Sequence, residues 1–359
     1  MAVSFIMAGG FGKRLWPESR VNYPKQFLAI NTKESLIQLA YRRCVNLFGR
    51  KNTFVITRRE LIKKITSHIP ELTSDQIIAE PVGRDTAPCI GFAAIHMRKK
   101  GEDAPMVILP SDHLIESGEK FKRVMMAAIK LAEKGYLVTV GIKPTRAETG
   151  YGYLQVGDKI DRLQSITCYE LKRFTEKPSQ KKAKSFLESG DFLWNAGIFA
   201  WRPSAILEEI KKYLPELYDG LEKISKTLGT SEEKKTIESV YPHLPKISID
   251  YAVMEKTTKA AVIPADFAWD DIGDWQALTR IFPKDEKGNV SQGLIKEMET
   301  MDCIFVNRED KILAVIGVSN LIVVNSEKGT LVVSKELSGR VKELVDELLK
   351  DERFKKYVE

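Results

Sequence analysis

Short apolar runs alternate with helical patterns over the first 142 residues of the chain. The apolar runs are rich in Val and Ile and predict buried strands at residues 3–7, 53–57, 76–79, 106–109 and 137–142. Apolar residues at helical spacing predict helices between them, at residues 35–47, 58–69, 87–100 and 120–134. This alternation predicts an α/β fold with a mostly parallel sheet flanked by helices. Because ligands of such sheets bind beyond the carboxyl ends of the strands, the residues just after each strand are the first functional candidates.

The pattern changes after the first part of the chain. Residues 149–282 mix glycine-rich turns, aromatic clusters and shorter helices, and residues 283–293 form a polar, turn-rich stretch typical of a linker. Beyond it, short apolar runs predict strands at 303–307, 312–318, 321–325 and 330–333, followed by an amphipathic helix at 340–357. We therefore expect a large domain over residues 1–285 and a small β unit with a terminal helix over residues 286–359.

Composition excludes several classes of protein. The 359 residues carry 56 Lys and Arg against 49 Asp and Glu, and this diffuse excess of +7 suits phosphorylated substrates as well as nucleic acid. No apolar run reaches the roughly 18 residues that a membrane helix needs, and the N-terminus lacks a signal-peptide pattern. The four cysteines lie far apart, which argues against disulfides or zinc and predicts a cytoplasmic protein.

A glycine-rich loop follows the first strand. Gly9, Gly10 and Gly12 let the backbone approach an anion closely, and Arg14 adds a forked cation suited to phosphate oxygens. The spacing fits neither a dinucleotide fingerprint nor a Walker loop, so a tight turn is the alternative. Lys25 adds a second cation that suits a triphosphate, unless it is a surface charge.

A carboxylate follows the third strand. Glu80 can accept two hydrogen bonds from the ring N–H and the amine of a guanine edge. In the turn after it, Asp85 or Thr86 can cap the next helix, and we favour Thr86 as that cap. Capping and a base contact can coexist.

Acidic residues at two further positions suggest a metal site. Asp112 ends a buried strand, where a carboxylate is costly without a partner, and an oxygen ligand there suits Mg²⁺. Asp271 lies in the stretch WDDIGDW (269–275), which has more acidic residues than ordinary packing needs. A cap of the following turn is the alternative for Asp112, and a plain acidic turn is the alternative for Asp271. We expect His113 to be a packing residue.

Three further clusters combine polar residues with aromatic or small neighbours. They lie at residues 149–153, 176–178 and 194–198 and contain Gly152, Glu176, Lys177 and Asn195. Polar groups that read hydroxyls beside an apolar face are typical of sugar sites. Core packing is the alternative for the tryptophans.

Read in order, these motifs resemble the nucleotide-sugar pyrophosphorylase superfamily and, within it, the mannose-1-phosphate guanylyltransferase family in its short bacterial form. The resemblance covers about three quarters of the chain and rests on these strings: AGGFGKRLWPESR (8–20), PKQFL (24–28), EPVGRDTAP (80–88), LPSDH (109–113), TGYGYLQ (149–155), FTEKP (174–178), WNAGIFAW (194–201), SIDYAVMEK (248–256) and WDDIGDW (269–275).

The resemblance implies a Rossmann-like nucleotidyltransferase fold, with residues 1–285 as the catalytic domain. It also implies a reaction in which GTP and mannose 1-phosphate give GDP-mannose and pyrophosphate, without a nucleic-acid or membrane partner. The implied roles fall into four groups: Gly9, Gly10, Gly12, Arg14 and Lys25 hold the GTP phosphates; Glu80, Asp85 and Thr86 hold guanine; Gly152, Glu176 and Asn195 hold mannose, with Lys177 on its phosphate; Asp112 and Asp271 bind Mg²⁺.

Two residues depart from the family's pattern. The family usually has Asn at position 85 and often a small hydroxyl residue at position 13, so the roles of Asp85 and Lys13 stay open. Rival interpretations are a pyrophosphorylase for another nucleotide or sugar phosphate and a catalytically silent sensor. A bifunctional isomerase would need a further metal-binding domain. The C-terminal region is a candidate surface for a homodimer.

Overall fold

The computed structural model describes residues 2–10 and 12–359, and these form two compact units that interleave along the chain. The first unit comprises the described parts of residues 1–9, 40–111 and 115–269. The second unit comprises the described parts of residues 10–39, 112–114 and 270–359. The division in chain order at residue 285 stays a prediction.

The strands of the described chain lie between residues 3 and 334. In chain order they are β1 (Val3–Met7), β2 (Thr53–Arg58), β3 (Ile77–Glu80), β4 (Met106–Pro110), β5 (Leu114–Ile115), β6 (Leu137–Ile142), β7 (Tyr153–Leu163), β8 (Ile166–Thr175), β9 (Phe192–Trp201), β10 (Ala260–Ala265), β11 (Trp269–Asp270), β12 (Val290–Gln292), β13 (Ile295–Met298), β14 (Ile304–Asn307), β15 (Leu313–Ile316), β16 (Leu321–Ser326) and β17 (Gly329–Ser334).

The α-helices are mostly short, at 4 to 15 residues. They are α1 (Leu36–Phe48), α2 (Ile62–His68), α3 (Thr86–Lys99), α4 (Glu119–Glu133), α5 (Gln180–Ser189), α6 (Pro203–Tyr213), α7 (Pro215–Thr227), α8 (Glu233–Val240), α9 (Leu278–Ile281), α10 (Val341–Leu348) and α11 (Glu352–Lys355). In the described residues, none of the helices is long and apolar enough to cross a membrane.

A mixed nine-stranded sheet forms the centre of the first unit within the described residues, in the order β3-β2-β1-β4-β9-β6-β10-β8-β7. The strands β1 to β4 are parallel to one another, as are β6 and β10. Strand β9 lies between β4 and β6 and is antiparallel to both. Strands β7 and β8 are antiparallel to each other. The predicted α/β fold with a mixed sheet is confirmed.

Helices α3, α6, α7 and α8 bury apolar residues in one core with the central strands. Phe92 of α3 and Ile206 of α6 are 1% and 0% exposed there, beside Phe5 and Ile108 of the sheet. Helix α4 packs along β6, β9 and β10. Burial of this many apolar side chains is the main stabilisation of the unit.

The second unit is built from short parallel strands stacked in two small sheets. Strands β12, β14 and β16 pair in parallel, β17 closes that sheet in an antiparallel direction, and β13 pairs in parallel with β15. The predicted small β unit is confirmed. The predicted single helix at 340–357 is wrong, because the helix ends near Leu348 and a second one begins after Asp351, whose side chain accepts a hydrogen bond from the Arg353 N–H.

Candidate functional site

The parallel strands of the first unit end at one edge of the sheet. Arg58 pairs with Glu80 across β2 and β3, and Met7 pairs with Pro110 across β1 and β4. The residues that follow these strand ends therefore lie along a common edge, as ligand-binding residues of such sheets do.

Glu80 is a buried carboxylate at this edge, only 3% exposed. The Tyr241 hydroxyl donates a hydrogen bond to Glu80 Oε1 at 2.5 Å. The other oxygen, Oε2, lies near Gly9, where a Cβ would come within 3.4 Å of it. Burial raises the pKa of Glu80 to about 7, although hydrogen bonds from Tyr241 and Cys89 and the charge of Arg58 oppose this rise. We call Gly9, Glu80, Asp85, Thr86 and Tyr241 the Glu80 cluster.

The turn after β3 differs from the prediction. Asp85, with φ of 69°, occupies the N-cap of α3, and its Oδ1 accepts a hydrogen bond from the Thr86 N–H at 2.8 Å. The expectation that Thr86 is the cap is wrong, because its hydroxyl oxygen accepts a hydrogen bond from the Ile249 N–H at 2.8 Å instead. Thr86 thus ties the start of α3 to the segment around residue 249.

A second group in the first unit lies where β7, β8 and β9 meet. The Gly152 carbonyl accepts a hydrogen bond from the Asn195 N–H at 2.8 Å, and a Cβ on Gly152 would lie 2.5 Å from Glu176 Oε2. Lys177 Nζ is 3.1 Å from Glu176 Oε1. The structure therefore brings together all the predicted sugar-binding residues, and we call them, with Asp250, the Glu176 cluster.

The sequence reasoning did not single out Asp250. Its Oδ1 accepts a hydrogen bond from Asn195 Nδ2 at 3.1 Å. Burial, and next the charge of Glu176, raise the pKa of Asp250 to about 7, while Lys177 opposes the rise. The signal available in the sequence was the motif SIDYAVMEK, in which Asp250 is the first acid.

Aromatic rings pack beside the Glu176 cluster. Tyr151 makes edge contacts with Trp194 and Trp269 at ring-centroid distances of 5.2 and 5.1 Å. Trp194 is 3% exposed, so core packing explains it. Tyr151 and Trp194 directly precede Gly152 and Asn195, so their packing supports the backbone at these two residues.

The second unit contains a separate charged group around Lys25. Lys25 is 6% exposed, which contradicts the alternative of a surface charge. Its Nζ lies 2.9 Å from Asp112 Oδ2 and also donates to the backbone carbonyl of Asp271. One ammonium thus joins both predicted metal ligands. We call Gly12, Arg14, Lys25, Asp112 and Asp271 the Lys25 cluster.

The loop before Lys25 requires a glycine. Gly12 has φ of 60°, and a Cβ there would lie 2.4 Å from Lys25 Cβ. Arg14 is exposed and makes no ion pair with the described residues. Lys13 pairs with Asp346 of α10 at 2.6 Å, which gives this departure from the family's pattern a structural role. Phe11 of the same loop lies outside the described residues.

The charges around Asp112 favour its ionised form. Burial opposes ionisation, but the charges of Lys25 and His113 outweigh it and lower the pKa of Asp112. Burial lowers the pKa of His113, although Asp112 opposes this, and its Nε2 is 3.8 Å from Asp112 Oδ1. At neutral pH the site therefore has an ionised Asp112 beside a neutral imidazole.

The three acids of the stretch 269–275 have different partners. Arg280 binds both oxygens of Asp270, at 2.5 and 2.9 Å. Asp274 accepts hydrogen bonds from the Gln276 N–H and the Ser338 hydroxyl. Asp271 accepts one from the Gly273 N–H at 3.1 Å. Asp270 and Asp274 are therefore structural, and Asp271 is the acid that stands beside Lys25.

The donors of the Lys25 cluster fit a hard divalent cation. One buried ammonium holds two acidic residues, Asp112 through its carboxylate and Asp271 through its backbone carbonyl, and oxygen ligands are those that Mg²⁺ takes. No group of three or more metal-ligating side chains occurs within residues 2–10 and 12–359.

Comparison with known proteins defines the class. Residues 3–288 match the family described as nucleotidyl transferase, and residues 297–348 match a "MannoseP isomerase/GMP-like beta-helix domain". The chain belongs to the nucleotidyl transferase family, whose members generally use a divalent metal.

Relatives narrow the class further. Proteins named mannose-1-phosphate guanylyltransferase from Klebsiella pneumoniae and Escherichia coli are each 37% identical over 98% of this chain and 75% of their own length. A crystal structure described as mannose-1-phosphate geranyltransferase from Thermus thermophilus is 34% identical, with a TM-score of 0.85 over 97% of this chain and 99% of that one.

Proposed function

We propose that this nucleotidyl transferase moves GMP from GTP to mannose 1-phosphate, giving GDP-mannose and pyrophosphate. The names of the relatives support the substrates. The observation that carries the assignment is the Lys25 cluster, in which a buried ammonium binds the Asp112 carboxylate and the Asp271 carbonyl. A silent sensor would not need to retain this costly arrangement of buried charges.

Each cluster has a proposed task. The loop residues Gly9, Gly10, Gly12 and Arg14, with Lys25, hold the GTP phosphates; Glu80, Asp85 and Thr86 hold guanine; Gly152, Glu176 and Asn195 hold mannose; Lys177 holds its phosphate. The burial of Glu80 supports its part, because a desolvated carboxylate discriminates strongly between bases that donate to it and bases that do not.

The chemistry is a displacement at phosphorus. An oxygen of the sugar phosphate forms a bond to the α-phosphorus of GTP while the bond from that phosphorus to the β-phosphate oxygen breaks in line. The electron pair leaves with pyrophosphate, so no protein nucleophile is needed. Because two anions must meet, the main task of Arg14, Lys25 and Lys177 is to neutralise and align them.

We propose that Mg²⁺ is the metal, with Asp112 and Asp271 as its ligands. When bound, the ion supplies positive charge to phosphate oxygens. Lys25 orients both ligands through its two hydrogen bonds, and the lowered pKa of Asp112 keeps that carboxylate ionised at neutral pH.

Steady-state pyrophosphate release tests the reaction. We expect release to require GTP, mannose 1-phosphate and Mg²⁺ together, and to fall with UTP, dTTP or glucose 1-phosphate. Release that prefers another nucleotide or sugar phosphate would refute the substrate assignment.

Asp112→Asn tests the metal assignment. We expect it to abolish Mg²⁺-dependent release and to leave the circular dichroism spectrum unchanged, because the amide fills the same volume. Asp270→Asn is the matched control, since Arg280 already holds that acid. Near-normal turnover of the Asp112 variant contradicts the metal site.

We further propose a homodimer through the C-terminal region of a cytoplasmic protein. Large apolar side chains on the second unit support self-association, with Met298, Met301, Ile312 and Ile316 between 52% and 66% exposed. The four cysteines are unpaired and buried, which supports a reducing compartment. Light scattering after size-exclusion chromatography would show a single chain mass if the dimer does not exist.

A further inference from the structure

A π-helical turn, Asp250–Met254, lies beside the Glu176 cluster. The Glu255 N–H donates to the Asp250 carbonyl at 2.9 Å, which is the five-residue hydrogen bond of a π-helix. Such turns are rare and often occur at functional sites. Their wider winding brings residues five positions apart, here Asp250 and Glu255, close to the same side of the turn.

The first acid of the turn fixes the carboxamide of Asn195. Asn195 Oδ1 accepts hydrogen bonds from the Thr139 hydroxyl at 3.0 Å and the Gly197 N–H at 3.1 Å. Asn195 Nδ2 donates to Asp250 Oδ1 at 3.1 Å. With both ends engaged, the amide has one orientation, and one of its two N–H donors is left for a ligand.

The second acid supports the other side of the same cluster. Glu255 Oε1 accepts a hydrogen bond from the Glu176 N–H at 2.9 Å. The Glu176 side chain is 10% exposed and pairs with Lys177. The turn and the residue after it therefore brace Asn195 on β9 and Glu176 at the end of β8, two of the proposed mannose-binding residues.

The same segment reaches the Glu80 cluster through the backbone. The Ile249 N–H donates to the Thr86 hydroxyl oxygen at 2.8 Å, and the Ala87 N–H donates to the Ile247 carbonyl at 3.1 Å. These contacts hold the start of the turn in place, so Asp250 meets Asn195 from a rigid support rather than from a loose loop.

We propose that Asp250 is a positioning residue for the sugar phosphate, because it holds the Asn195 carboxamide so that the remaining N–H donor meets a sugar hydroxyl. This inference rests on the proposed function of Asn195. A positioning residue acts only through its partner, so loss of Asp250 has no further effect once the Asn195 side chain is absent.

A double-mutant cycle of Asp250→Ala and Asn195→Ala tests this coupling. We expect each single variant to raise the KM for mannose 1-phosphate about five- to tenfold, the size of one lost hydrogen bond between neutral groups, with the KM for GTP unchanged. The double variant should match Asn195→Ala alone. Asp250→Asn, which keeps the volume and an acceptor for Asn195 Nδ2, should give a smaller rise. Asp158→Asn, an exposed acid on β7, is the control.

The outcomes distinguish failure of the proposed sugar site from failure of the positioning role of Asp250. A wild-type KM for mannose 1-phosphate in Asn195→Ala overturns the proposed sugar site, and the positioning role with it. A raised KM in Asn195→Ala beside a wild-type KM in Asp250→Ala and Asp250→Asn overturns positioning alone. Multiplicative effects in the cycle, or a parallel loss of GTP affinity and of thermal stability, show a general structural role and also refute it.

Discussion

Glu80 makes the stability of the fold depend on pH in a direction opposite to that of most carboxylates. Burial raises the pKa of this side chain from its ordinary value of 4.5 to about 7 in the folded chain. The folded state therefore binds the proton more tightly than the unfolded state does. The resulting stability is fully present below about pH 4.5 and is lost as the pH rises through about 7.

The size of the effect follows from these two pKa values. Between pH 5 and pH 8, the free energy of unfolding should fall by about 2–3 kcal/mol through Glu80 alone. Glu80→Gln removes the titrating carboxyl group but keeps an oxygen that accepts the hydrogen bond from the Tyr241 hydroxyl. We expect the variant to gain about 2–3 kcal/mol on the wild type as the pH rises over this range.

Urea unfolding of both proteins at pH 5, 6, 7 and 8 measures this difference, provided that fluorescence and circular dichroism transitions coincide. Asp250, whose pKa is also raised, is present in both proteins, so its contribution cancels in the difference. A difference that stays constant from pH 5 to pH 8 would refute the argument that burial perturbs Glu80.

Three further predictions concern the other clusters. Lys25→Met should lower the free energy of unfolding at pH 7 by about 1–3 kcal/mol, because Asp112 loses its partner. This deficit should shrink below about pH 4, where Asp112 is protonated. A deficit independent of pH would contradict the ion pair. Gly152→Ala should displace Glu176, since the new Cβ would lie 2.5 Å from Oε2, and should raise the KM for mannose 1-phosphate about tenfold. Gly118→Ala, where a Cβ would lie in open space, should leave that KM unchanged. Arg14→Ala should reduce turnover about 10²- to 10³-fold. The unfolding midpoint should not shift, because this side chain is exposed. A loss of stability that accompanies the loss of turnover would argue against a role in charge neutralisation.

The periodic part of the fold was predictable from the sequence. Strands β1 and β6 occupy the predicted residues, β2 and β4 each extend one residue further, and β3 is shifted by one residue. Strands β1, β2, β4 and β6 are buried on both faces, so their apolar runs and their glycine or polar boundaries carry the information locally.

The long-range pairings were not predictable in this way. Tyr241 reaches Glu80 over 161 positions of sequence, and Asp250 reaches Asn195 over 55. No periodicity encodes such a contact. The helix break near Asp351 was missed because the apolar spacing continues across it, although the aspartate caps the next turn.

The residues of the candidate site were only partly predictable from the sequence. Residue type and position after a strand were enough to select Glu80 and Asp112, and Lys25 was selected as a second cation near the glycine-rich loop. They could not show that Lys25 is buried or that it joins Asp112 to Asp271, because that geometry depends on three distant segments. Nor could residue type distinguish Asp271 from Asp270, which differ in the structure because Arg280 binds Asp270 and Lys25 contacts Asp271.

The interleaving of the second unit has a consequence for biosynthesis. The Trp16 indole N–H donates to the Tyr357 carbonyl, which lies 341 positions further along the chain, and the Val21 N–H donates to the Val358 carbonyl. A nascent chain that has not yet reached residue 341 lacks the Val341, Val345 and Val358 side chains that complete the core around Leu15 and Trp16. Contacts of such long range slow folding and leave apolar surface exposed during synthesis, so this unit is the part of the nascent polypeptide with the greatest need of chaperones.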